Sequence, residues 1–362
     1  MRKRNYGIDL LRIYSMMMIV TLHALGHGGV IYNATKGTTH YNLGWLIEIF
    51  SYCAVDCFGL ISGFVGYKEG VNSLKIKSYI RLWFEVVFYC LIISILMKML
   101  GYVQSWQCVI GSFFPVIHNS YWYFTAYTGM FFILPIINMG ISLCDKCTLR
   151  RIVITLFVLM GFLDSFTNRF SLCQGYSVFW LLFLYIIGAS IKKLNIGTNW
   201  KINRIVVAII LLLLITWTEF VNEWEFAIGD ITFNGWMLVS YTSPTIVSIA
   251  ILYIILFKRF EFSGNLNKII GYLSSSSFAI YLLNDNEYIR SVFITDAFVK
   301  LLYISSFYMP LILVLFAIVF VLGAIMVDKV RIKIFNILCI ERLIEIIEKY
   351  LLGVIEKVSA KL

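Results

Sequence analysis

Arg12 and His23 stand eleven positions apart in an otherwise apolar stretch near the head of the chain. On an α-helix, at 100° per residue, eleven steps end about 20° beyond three full turns, so both side chains share one face. They are about 16 Å apart along the axis. A guanidinium fork grips phosphate oxygens. An imidazole, with an unperturbed pKa of about 6.5, takes and returns protons. A helix carrying both could serve a reaction that begins at one of its ends and finishes at the other. The plainer readings are an Arg12 that pairs with Asp9 and snorkels, and a His23 that is a satisfied polar residue at a boundary.

Other residues invite the same weighing. Asp56 lies deep in the apolar run Val55 to Phe64 and must pair with something or face water. Ser62-Gly63, in the same run, offers a small surface for close helix packing. Arg81 and Glu85 are four apart and could pair. Lys75, Lys77 and Arg81 could instead clamp phosphates, although topogenic charge explains the lysines as well. Tyr121, Trp122 and Tyr123 form either an interfacial belt or an apolar platform for a sugar ring. His23 and His27 share a face, but with no third ligand and no H-E-x-x-H no metal is expected. The run Asn284-Asp285-Asn286-Glu287-Tyr288-Ile289-Arg290 reads as a pocket or a helix terminus. Cys144 and Cys147 make a lone CxxC, too little for a zinc or redox site.

The elements that must position these residues follow from composition. The chain has 362 residues, 60% hydrophobic and 14% charged. A soluble domain is roughly 45–50% apolar and 25% charged, and one this size could not hide such an excess. A soluble enzyme, a disordered chain and a coiled coil are excluded. An all-α polytopic membrane protein remains. About ten spans are expected, near 7–26, 43–66, 79–100, 121–142, 152–164, 176–191, 204–221, 239–257, 270–283 and 309–327. The segment 288–307 is amphipathic and could be re-entrant or an extra helix. The net charge of +10 is no sign of nucleic-acid binding. The basic residues sit in short connections, among them Arg2, Lys3 and Arg4; Lys146, Arg150 and Arg151; Lys192 and Lys193; Lys258 and Arg259. An outer connection carries Glu219, Glu223, Glu225 and Asp230 with no Lys or Arg. This bias places both termini in the cytoplasm. Residues 329–362 read as a cytoplasmic amphipathic helical tail behind a membrane domain at 1–328. That tail would lie on the bilayer surface or, as the second reading, make an oligomer contact.

Together these residues resemble the bacterial acyltransferase 3 family of integral-membrane enzymes, across nearly the whole chain. Ile8-Asp9-Leu10-Leu11-Arg12 followed by His23-Ala24 is similar to its first-span signature. The Val55–Phe64 run, Tyr121-Trp122-Tyr123 with Leu134-Pro135 and Asn138, and Ser277 to Leu283 resemble later motifs. Asn284 stands where the family often has a histidine. The resemblance implies O-acylation in the bacterial cytoplasmic membrane. An acetyl group would move from cytosolic acetyl-CoA, the acyl-CoA donor, to a hydroxyl of an extracytoplasmic surface glycan or lipid-linked sugar. His23 would be general base or acyl carrier, with Arg12 and Asp56 beside it in catalysis and Asp56 orienting the imidazole. Arg12 and Arg81 would hold the donor phosphates, and Tyr121, Trp122 and Tyr123 would pack against the sugar. The competing class is a transporter or flippase for a lipid-linked glycan.

Overall fold

The computed structural model describes residues 4–70, 74–103, 105–167, 170–197, 204–221, 224–228 and 231–359; Arg2, Lys3, Glu223 and Asp230 lie outside them. Helix α1 (Tyr6–Leu25) starts where the Asn5 side chain accepts from the Ile8 N–H. One turn, α2 (Val30–Asn33), follows. The second apolar stretch breaks at Cys53 into α3 (Thr39–Tyr52) and α4 (Ala54–Gly66). Next come α5 (Ile76–Met99), α6 (Trp106–Gly111) and α7 (Trp122–Leu143). Helix α8 (Lys146–Leu156) passes through a π-helical stretch, Phe157–Leu163, into α9 (Asp164–Thr167). Helices α10 (Val178–Lys193) and α11 (Arg204–Val221) precede an antiparallel hairpin of β1 (Glu225–Ile228) and β2 (Ile231–Asn234). Then α12 (Pro244–Phe257), α13 (Gly264–Ser274), α14 (Ser277–Asn284) and α15 (Glu287–Ile289) lead to α16 (Tyr308–Ile337) and α17 (Ile340–Ser359).

The architecture is that of a helical polytopic membrane protein; the hairpin in the acidic connection is an addition to the all-α expectation. Among the described residues, five segments are long and apolar enough to cross a membrane: Tyr6–Asn33, Thr39–Gly66, Ile76–Met99, Trp122–Leu143 and Tyr308–Ile337. Shorter apolar helices occupy Val207–Thr216 and Pro244–Phe257. The expected start at 239 moves to Pro244, because proline suits the first helical turn. The stretch 270–283 is interrupted at Ser275 and Ser276. Residues 288–307 form short turns, including Arg290–Ile294 and Val299–Tyr303, and no span. Helix α16 runs unbroken through the expected 328/329 boundary, and the chain turns at Leu338 and Cys339.

Helix α1 is the centre. In its apolar window 72% of residues are buried, against 22% for Trp122–Leu143 and 28% for Tyr308–Ile337. It packs on α3, α4, α12, α13, α14 and α16. Behind it, α4 and α10 meet backbone to backbone. A Cβ on Gly63 would strike the Tyr185 carbonyl, and one on Gly188 the Leu60 carbonyl. Of the Ser62-Gly63 surface, Gly63 therefore does serve close packing. Between α5 and α16 lies a buried polar knot. Asp328 Oδ1 accepts from Tyr89 Oη at 3.0 Å and from Arg331 Nε at 2.6 Å. Arg331 Nη2 reaches Glu85 Oε1 at 3.5 Å, so Glu85 pairs with Arg331 and not with Arg81. Arg81 turns to the tail, donating to both Glu341 oxygens at 2.6 and 3.2 Å. Lys77 reaches Glu345 at 2.8 Å and Glu341 at 3.0 Å. The Arg81 hydrogen bonds, then those of Lys77, hold the Glu341 carboxyl below its usual range. Ile346, Tyr350 and Val354 of α17 stay exposed.

Two predictions follow from these contacts. Gly63→Ala costs about 1–3 kcal/mol by overpacking and lowers the melting temperature in detergent. Gly140→Ala, where a Cβ meets nothing within 4 Å, leaves that temperature unchanged or raises it. The double change Glu341→Gln with Glu345→Gln frees the tail, seen as faster tryptic cleavage after Arg342 and Lys349. Because the folded-state pKa of Glu341 is depressed, the wild-type clasp persists above the usual glutamate range. It loosens only as pH falls through that lowered value. A cleavage rate indifferent to both changes would count against the clasp.

Candidate active site

Three cavities follow one another along α1, and a fourth adjoins the third. The first, about 540 Å3, opens at the N-terminal end of α1 among Arg4, Asp9, Arg12, Val65 and Lys192. The second, about 250 Å3, has Arg12 and Val65 in its wall again, with Phe58, Ser62, Tyr127 and Asn138. The third, about 210 Å3, shares Phe58 with the second and adds His23, His27, Tyr123, Tyr281 and Asp285. The fourth, about 580 Å3, shares Trp122, Asp285 and Arg290 with the third and is lined by Gln107, His118, Asn119 and Asn286 among others.

Helical periodicity builds this series. Helix α1 contributes Arg12, Met16, Ile19 and His23, a single stripe spaced by three and four, and His27 follows in the turn just beyond its end. Helix α4 contributes Val55, Phe58, Ser62 and Val65, and α7 contributes Tyr123, Tyr127, Met130, Leu134 and Asn138. Three helices thus turn one face each to the path. The shared face expected of Arg12 and His23 is present, with the two at opposite ends of the two middle cavities.

At the first end, Arg12 Nη1 donates to Asp9 Oδ1 at 3.0 Å, and Arg4 holds the other oxygen of the same carboxylate. Lys192 lies in the same wall. Three cations against one carboxylate leave a positive mouth. Arg81 is not among the residues lining any of these cavities; its guanidinium is spent on Glu341.

At the other end, His23 Nε2 lies 4.0 Å from Asp285 Oδ1. That oxygen also accepts from Arg290 Nη1 at 3.3 Å. His23 Nδ1 is buried without a hydrogen-bond partner, and so are both amide atoms of Asn284, which lies beside the ring. The His27 ring is 5.1 Å from that of His23. The carboxylate facing His23 is therefore Asp285, not Asp56. Asp56 is fully buried with Oδ1 accepting from Trp180 Nε1 at 3.0 Å. One helical step beyond Val55 turns it away from the cavity and toward α10.

The three aromatics separate in the same way. Tyr121 is 1% exposed, too buried to touch a sugar. Its hydroxyl donates to the Leu282 carbonyl at 2.8 Å and accepts from Asn286 Nδ2 at 3.0 Å. Asn286 in turn caps α15 by accepting from Tyr288 and Ile289 N–H. Tyr121 is thus a positioning residue for the turn that carries Asp285 and Arg290. Trp122 faces the third and fourth cavities and packs on Tyr176, with ring centroids 4.5 Å apart. Tyr123 lines the third cavity, with its buried hydroxyl unpartnered. Asp285 and Arg290 line the third and fourth cavities, as the pocket reading of their run anticipates, whereas Tyr281 and Phe58 carry no individual mark in the sequence. The dense polar run from Asn284 to Arg290 was the available signal for the first two.

A carboxylate-backed imidazole facing a small cavity, joined to a cationic mouth, suits acyl transfer from a phosphate-bearing carrier. A family profile described as an acyltransferase domain matches residues 5–328, from α1 into α16. No curated protein and no solved structure matches the chain. The protein belongs to the acyltransferase 3 family and is a membrane acyltransferase.

Proposed function

We propose that the protein moves an acetyl group from cytosolic acetyl-CoA to a hydroxyl of a surface glycan or lipid-linked sugar outside the bacterial cytoplasmic membrane. The observation that carries this reading is the cavity series itself, with Arg12 at one end and the His23–Asp285 pair at the other. The concentration of Lys and Arg in alternate connections supports a cytoplasmic position for the Arg12 end.

The CoA phosphates sit at Arg12, Arg4 and Lys192, and the pantetheine arm runs into the second cavity. The acceptor enters the fourth cavity, where Gln107, His118 and Asn119 offer hydrogen bonds to a ring rich in hydroxyls. Its hydroxyl reaches His23. As the oxygen attacks the thioester carbonyl, the imidazole takes the hydroxyl proton and Asp285 stabilises the imidazolium. The C–O bond forms and the C–S bond breaks. The imidazolium then returns the proton to the leaving CoA thiolate, giving ester and free thiol. Middle cavities of about 250 and 210 Å3 meeting at one phenyl ring suit an acyl group on a thin arm. They do not suit the passage of a lipid-linked glycan, so the transport reading finds no support in this geometry.

The first test is CoA thiol release from acetyl-CoA in liposomes carrying candidate glycans. His23→Ala lowers kcat by roughly 10²–10⁴-fold, the usual worth of a general base, with normal membrane insertion; near-normal transfer in this variant would sink the assignment. Asp285→Asn lowers kcat while leaving the acetyl-CoA KM unchanged. Arg12→Gln instead raises that KM roughly 10–100-fold, the worth of a charge-assisted hydrogen bond of about 1.5–3 kcal/mol. An Arg12 variant with unaltered KM would remove the phosphate role.

A further inference from the structure

Four cavities in series across a bilayer pose a problem that the catalytic residues do not solve. Left open, they would join the two sides of the membrane. Among the described residues, Phe58 alone is common to the walls of the second and third cavities. It sits one turn after Val55, which faces the third cavity, and one turn before Ser62, which faces the second. Phe58 is half-buried in the middle of an apolar span because it faces space on both sides. A hydrophobic constriction of this kind keeps a narrow path dry and shut.

The helix carrying it cannot easily move. Gly59 fits against the Leu184 side chain, and Gly63 against the Tyr185 backbone of α10. The path therefore opens by rotation of the Phe58 ring about its own side-chain bonds, not by displacement of α4. What passes is limited by the gap left when one ring swings aside. That gap admits a thin, unbranched group and rejects a broad one.

We propose that Phe58 is the gate between the donor half and the acceptor half of the path, and the residue that selects acyl groups by width. This rests on the acyl-CoA reading of the same cavities. The acyl end of the donor must pass the ring to reach His23, so selection acts before chemistry. Straight short acyl thioesters are the substrate class; branched and aromatic ones are excluded. Misfits of even one methylene in an apolar pocket change discrimination roughly 10–200-fold, and a phenyl ring against an ethyl group is a larger misfit.

Binding of two non-reactive thioethers, S-ethyl-CoA and S-benzyl-CoA, to purified protein in detergent tests this without an acceptor. In the wild type S-ethyl-CoA binds at least tenfold more tightly. Phe58→Ala brings the two Kd values within threefold by strengthening S-benzyl-CoA, and Phe58→Leu falls between. The melting temperature of each variant is read beside its Kd, and Phe58→Leu carries the test if Phe58→Ala does not fold. Equal wild-type affinities, or a wild-type ratio kept in the variants, overturns the gate and leaves the donor reading standing. Failure of the wild type to bind either thioether overturns the donor reading, and the gate with it.

Discussion

An ionisable side chain inside a bilayer must be given water or a partner, and α1 carries that demand twice on one face. Arg12 meets it with Asp9 and an open cavity; His23 meets it with Asp285 and a second cavity. The two demands are fixed about 16 Å apart on one rigid helix. Satisfying both forces a polar path along that face, so neighbouring helices must leave space exactly where a membrane bundle would otherwise fill it. This is why a helix with most of its apolar residues buried also has cavities along one side.

Empty space costs packing contacts, and the surrounding helices compensate one residue away. Along α4, Val55 faces a cavity while Asp56 bonds Trp180 of α10. Ser62 faces a cavity while Gly63 lies against the α10 backbone. At the start of α7, Tyr121 ties down the turn bearing Asp285 while Trp122 faces open space. Each pair uses the 100° between successive helical residues to put a working side chain and a fastening side chain on different faces. The site is held by the residues adjacent to it in sequence, on the far side of the same helices.

That arrangement explains what sequence reading could reach. The Arg12–His23 face was legible because it depends on the period of one helix. The close packing at Gly63 was legible because a residue without a side chain marks a close helix approach. Asp56 was a plausible partner for His23 by type and depth, but a helical phase relative to α1 is a tertiary fact, and one position decided it. Asp285 was visible as part of a polar run, yet nothing local joins that run to His23. Arg81 stood among several loop cations, and its partner is a tail glutamate far along the chain. Phe58 is one of 29 phenylalanines and carries no mark until two cavities are seen to meet at it.

The division into two middle cavities has a chemical consequence of its own. On the proposed reaction, a thioester and a base that met in open water would yield hydrolysis as readily as transfer. Here Trp122, Tyr176 and Tyr241 form an aromatic wall to the third cavity, with Trp122–Tyr176 and Tyr176–Tyr241 centroids 4.5 and 5.5 Å apart. Phe58 closes the opposite side. A hydroxyl delivered by an acceptor can be held against the imidazole in such a space, while the apolar side chains that make up much of the lining limit the water that enters. Selectivity for transfer over hydrolysis then follows from the apolar lining, and the polar groups are left to position the one hydroxyl that is admitted.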